Sequence, residues 1–147
     1  MQVGFYQFDS QFGAVAKNLE MVTAKLDQAD ADLIVLPELF ASGYQFLSQQ
    51  EAYQLAEPVP DGPTVRCLVD IAKRRKMHLV AGLPERSGSR SYNSAVVVGP
   101  SGFLGCYRKT HLFFEETQWF TPGDSGFLVW DIGAAKIGIM ICFDWYY

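Results

Sequence analysis

The stretch Asp32-Leu33-Ile34-Val35-Leu36-Pro37-Glu38 decides the fold. Leu33 to Leu36 are all apolar, which reads as a buried strand, and Pro37 ends it because proline has no N–H to give to a ladder. Upstream, Gln2 to Phe8 sets Val3, Phe5 and Tyr6 among smaller or polar residues and reads as a first strand. Between the two, Ala14 to Ala29 carries Val15, Leu19, Val22 and Leu26 at offsets of three or four, one apolar stripe of a helix. Strand, helix and strand make a βαβ unit, hence a parallel pair joined by a right-handed crossover.

Downstream the pattern continues and then changes. Ser42-Gly43-Tyr44 opens a loop, and Ser48 to Ala56 suits a short helix. Pro58 to Pro63 is a rigid connector whose last proline suits the first turn of the next helix. That helix is expected to run to about Lys76, burying Val65, Leu68 or Val69, and Ala72. Met77 to Leu83 is the next strand. Tyr92 to Val98 and Phe103 to Tyr107 then flank the turn Gly99-Pro100-Ser101-Gly102, an antiparallel hairpin. Arg108 to Gly126 is a long aromatic-rich loop, and Phe127 to Trp130 with Ala135 to Cys142 form a second hairpin. Ile137, Ile139 and Ile141 alternate with Gly138 and Met140, and the expectation is a strand buried on both faces. The fold class is α/β, with a sheet parallel early and antiparallel late.

Composition narrows the class of function. The chain has 147 residues and is 49% hydrophobic, long enough for one domain with a real core and too apolar for disorder. A net charge of -4 points away from nucleic acid and anionic membrane. The basic run Lys73-Arg74-Arg75-Lys76 sits where it complements a helix C-terminus. Met1 to Phe5 has neither the charged lead nor the apolar run of a signal peptide. Three cysteines, Cys67, Cys106 and Cys142, make an odd count without CxxC spacing, so a disulfide framework or zinc site is not expected, and the reading is a reducing cytoplasm. Cys67, Cys106 and His78 read as packing residues.

The chemistry concentrates at strand ends. Glu38 follows a buried strand directly, at the edge where open α/β sheets place ligands. Burial there raises a carboxyl pKa and makes it a usable base. Lys109 leaves a hairpin strand and would offer fixed positive charge to a developing oxyanion. Cys142 ends a buried strand; as a nucleophile it needs a base for its proton and a cation for its thiolate. Alone, each residue has an ordinary alternative: a loop carboxylate, a solvated lysine, a buried small thiol.

Three segments in order change that balance: Leu36-Pro37-Glu38-Leu39-Phe40, Tyr107-Arg108-Lys109-Thr110-His111-Leu112-Phe113, and Gly138-Ile139-Met140-Ile141-Cys142-Phe143-Asp144. With them the chain resembles the nitrilase superfamily of carbon-nitrogen hydrolases along its whole length. The resemblance implies Glu38 as general base, Lys109 as the stabiliser of the tetrahedral intermediate and Cys142 as nucleophile. Glu116, with Phe120, Pro122 and Gly123 in the surrounding pattern, fits a second glutamate that holds Lys109 and substrate; Glu115 is the neighbouring candidate. His111 stays structural. No metal or organic cofactor is implied. The implied reaction cleaves small amides or nitriles through a Cys thioester, with an N-carbamoyl amide hydrolase or amide-transferring relative as the runner-up. A non-catalytic binding or assembly member and a thiol redox sensor are the readings from other classes. The family also implies a homodimer or larger homo-oligomer and an αββα sandwich of which this chain supplies about the first half, a mixed sheet with two long helices. Residues 1–147 are thus expected to be the N-terminal half of one domain, cut just after the nucleophile strand, and inactive and poorly soluble alone.

Overall fold

The computed structural model describes residues 1–147. The elements run β1 (Val3–Phe5), α1 (Val15–Leu26), β2 (Leu33–Val35), α2 (Gln49–Leu55), α3 (Pro63–Arg75), β3 (His78–Ser87), β4 (Arg90–Gly99), β5 (Gly102–Arg108), α4 (Glu116–Trp119), β6 (Val129–Asp131) and β7 (Lys136–Gly138). A five-stranded sheet has the order β1-β2-β3-β4-β5. β1, β2 and β3 are parallel, while β4 and β5 add antiparallel. The βαβ unit and the change from parallel to antiparallel are therefore where the sequence pattern puts them.

Local chemistry explains the helix limits. Ser48 caps α2 by accepting from the Glu51 amide at 3.1 Å. Pro63 occupies the first turn of α3, and Lys76 ends it in the left-handed conformation, φ 55°. On α3 the buried stripe is Val65, Leu68, Ile71 and Ala72. Leu68, not Val69, is the fully buried member of the expected pair.

The two faces of the sheet have different covers. Ile34, Leu79, Ala81, Leu83, Val96 and Val98 pack against Val22 and Leu26 of α1 and against the stripe of α3, forming the larger core. On the other face, Leu33, Val80, Ala95, Val97 and Tyr107 meet Ile132, Ile139 and Ile141 of the second hairpin. That hairpin pairs β6 with β7, Trp130 opposite Ile137. It leaves β1 and the end of β2 uncovered, where Val35 is exposed. Val3 and Phe5 pair in register with Leu33 and Val35 and so share this second face; they stand 58% and 79% exposed.

The stretch Ala135 to Cys142 departs from expectation. Regular strand is confined to Lys136–Gly138, and burial is one-sided: Ile139 and Ile141 are buried, whereas Met140 is 64% exposed. The period of two is real, but only the isoleucine side has a layer to pack on. The long loop after Arg108 also contains a helical turn, α4, that its aromatic composition concealed. Residues 142–146 form a 3₁₀ turn.

Candidate active site

Four sequence candidates meet just beyond the ends of β2 and β5, against the middle of β3 and β4. Glu38 lies in the turn after β2. That turn crosses β3 at Gly82, where an added Cβ would sit 2.7 Å from both Glu38 Cα and Leu39 N. Phe40 N donates to the Gly82 carbonyl at 3.0 Å and fixes the approach. Lys109 continues β5 and donates its amide to the Asn93 carbonyl at 2.8 Å. Glu116 opens α4. Cys142 follows the β7 segment at the first residue of the 3₁₀ turn.

Lys109 is the centre of the cluster. Its ammonium donates to Glu38 Oε1 at 2.7 Å and to Glu116 at 3.1 Å (Oε1) and 2.8 Å (Oε2). The side chains of Lys109 and Glu116 are fully buried, and that of Glu38 retains some exposure. Burial works against the lysine charge, yet the hydrogen bonds to Glu116 and Glu38 outweigh it and hold the ammonium above its ordinary range. Glu115 is exposed and outside this network, so the geometry places Glu116, not its neighbour, against Lys109.

Asn93 was not among the expected residues. It is 1% exposed, and its Nδ2 donates to Glu38 Oε1 at 2.7 Å and to Glu116 Oε1 at 2.8 Å, using both hydrogens to tie the two carboxylates together. Its Oδ1 has no partner. A readable signal was present: an amide inside the apolar strand Tyr92 to Val98 needs buried partners. The Phe113 amide completes the shell of Glu116, donating at 2.6 Å.

Two carboxylates share one ammonium here. Burial, opposed by Lys109 and reinforced by Glu116, raises Glu38 above the usual carboxylate range. Cys142 is exposed, and its electrostatic neighbours are Glu38, Lys109 and Glu116. Partial burial and then Glu38 push its thiol up, against the pull of Lys109. The resting site therefore holds a protonated thiol beside a carboxylate of raised basicity. Tyr44 stands at the same place, its phenol raised by burial and by Glu116 and Glu38. Tyr44 and Glu38 line a cleft of about 330 Å³ with Phe8, Asp9, Phe12 and Gln45.

Backbone strain collects here. Of the four non-glycine residues with positive φ, Leu39 (53°) follows Glu38, Phe114 (46°) lies two positions before Glu116, Cys142 (44°) is itself a site residue, and only Lys76 is a helix end. Such conformations persist where the surroundings over-determine them, and they cluster at functional sites.

The other expected packing residues stay outside. Cys67 contacts Thr23 Oγ1 at 3.5 Å. Cys106 lies against Glu85, and burial pushes its thiol up to about 12, far from a reactive thiolate. His111 binds Asp144 rather than the Lys109 cluster.

Residues 3–147 match the carbon-nitrogen hydrolase family, and the chain belongs to it. It is 44% identical to a nitrilase of Pyrococcus abyssi (strain GE5 / Orsay), an alignment that covers 100% of this chain and 57% of that one. It is 35% identical to an (R)-stereoselective amidase of Pseudomonas sp, over 98% of this chain and 52% of the relative. Among solved structures it superimposes on XC1258 of Xanthomonas campestris, a CN-hydrolase superfamily protein with an arsenic adduct in its active site. The TM-score is 0.85 at 27% identity, over 96% of this chain and 52% of that one. The chain thus spans about half the length of the relatives it matches. No helix is long and apolar enough to cross a membrane.

Proposed function

We propose that the protein is a thiol hydrolase that cleaves the carbon-nitrogen bond of small amides or nitriles. The observation that carries this reading is the buried Lys109 ammonium bonded to both Glu38 and Glu116, with Cys142 beside them. For an amide, the Cys142 thiol gives its proton to Glu38 while sulfur bonds to the carbonyl carbon. Lys109 stabilises the oxyanion. The carbon-nitrogen bond breaks, the amine leaves with the proton from Glu38, and a thioester remains. Glu38 then takes a proton from water; hydroxide adds to the thioester, the carbon-sulfur bond breaks, the sulfur takes the proton back from Glu38, and the carboxylic acid leaves. A nitrile consumes one more water and passes through a thioimidate before ammonia leaves. Acid-base catalysis supplies about 10²–10⁴-fold in rate. Glu116 and Asn93 hold Lys109 and Glu38 in place.

In this reading residues 1–147 are the N-terminal half of one domain, and the bare face at Val3, Phe5 and Val35 is covered by the other half. The complete protein works as a homodimer or larger assembly, in the reducing cytoplasm that three free cysteines suit. The test is release of ammonia from a panel of carboxamides, nitriles and N-carbamoyl amines, beside the Cys142→Ala variant. Turnover by wild type and none by the variant is the expected result. Equal rates would exclude the thiol route.

A further inference from the structure

We propose that Asp144 is a positioning residue that locks the turn carrying Cys142 to the segment carrying Lys109. This rests on the reading of Cys142 as nucleophile and Lys109 as the oxyanion's cation. Asp144 is 2% exposed, and both carboxylate oxygens are fully engaged. Oδ2 accepts from the Ile141 amide at 2.9 Å and from the Tyr107 hydroxyl at 2.8 Å. Oδ1 accepts from the His111 amide at 2.9 Å and from His111 Nδ1 at 3.0 Å. A carboxylate only accepts, so Nδ1 carries the hydrogen.

The bond to Ile141 closes the turn around Cys142, whose φ of 44° is disfavoured for a residue with a Cβ. Ordinary capping of a turn needs no more than that bond. The other donors come from outside the turn, and both residues flank Lys109, two positions before it and two after. One carboxylate therefore holds the nucleophile's backbone and the cation's backbone at the same point. Lys109 itself reaches away to Glu38 and Glu116, so the two networks meet in a single five-residue segment, Tyr107 to His111. Loosening Asp144 frees sulfur to drift from the oxyanion position while the Glu38–Lys109–Glu116 cluster stays intact.

The test uses the complete protein and the variants Tyr107→Phe and Asp144→Asn, with turnover normalised to titratable active-site thiol. Tyr107→Phe removes one hydroxyl and is expected to lower kcat ~10-fold with KM nearly unchanged; Asp144→Asn is expected to lower it ~100-fold, as misplacement by an ångström does. Alkylation of Cys142 by iodoacetamide, which needs no alignment with Lys109, should change far less than kcat. A purely structural Asp144 would lower the melting temperature and leave kcat per titrated thiol unchanged in both variants, which overturns the proposal. If Asp144→Asn does not fold, Tyr107→Phe decides alone. Turnover that survives in Cys142→Ala would instead sink the underlying reading of the site.

Discussion

Lys109 Nζ stands 2.7 Å from Oε1 of Glu38, a contact between residues 71 positions apart. It joins the antiparallel half of the sheet to the end of its βαβ unit. Removing one partner of a buried ion pair leaves the other charge unpaired.

Lys109→Met should therefore damage both activity and stability. The buried Glu116 and the half-buried Glu38 would face each other without a cation, at a cost of up to roughly 3–5 kcal/mol. Loss of an oxyanion stabiliser lowers kcat by ~10²–10³-fold. Urea unfolding and steady-state kinetics check the two effects separately.

The pH profile follows from Glu38. Its carboxylate is raised by burial and by Glu116, lowered by Lys109 and Asn93, and faced also by Tyr44 and Cys142. In the proposed mechanism Glu38 is a base that works only when deprotonated, so activity should be lost as pH falls through the raised value. The acid limb of kcat/KM should lie above the usual carboxylate range. Asn93→Ala removes a donor that favours the charged form, so the limb should move to higher pH. A limb that stays put or moves down would remove Asn93 from the control of the base.

Gly82→Ala tests the approach of β3 to Glu38, the proposed base. The new Cβ meets backbone atoms of Glu38 and Leu39, which cannot rotate aside. The expected result is a folded protein destabilised by about 1–3 kcal/mol, with kcat down ~10²-fold through displacement of Glu38. Calorimetry and kinetics on the same preparation decide it.

The bare side of the sheet predicts the behaviour of residues 1–147 expressed alone. Phe5 and Val35 lie together on that face and are exposed. This segment should bind a dye for apolar surface and aggregate, and Phe5→Ser with Val35→Thr should raise its solubility. A well-behaved monomer that binds no dye would contradict the proposed division of the domain.

Much of this was legible in the chain. The stripe Val15, Leu19, Val22 and Leu26, the buried run Leu33 to Leu36 and the hairpin about Gly99 to Gly102 are local patterns, and local patterns read well. Glu38, Lys109, Glu116 and Cys142 stand out as candidates because each lies in a distinctive segment, and their side chains come together. Asn93 and Asp144 assigned themselves no role because their partners are distant in sequence: Glu38 is 55 positions from Asn93, and Tyr107 is 37 from Asp144. The one-sided burial of Ala135 to Cys142 was illegible for another reason. Ile137 to Ile141 carries apolar side chains in both directions, and only packing shows which direction has a neighbour.

The most direct test of the central claim is the mass of the protein quenched during turnover of a small amide. A covalent acyl group should be found on Cys142, as a thioester that hydroxylamine removes, and Cys142→Ala should show neither adduct nor turnover. Turnover that continues in Cys142→Ala, or an acyl group on another residue, would contradict the account.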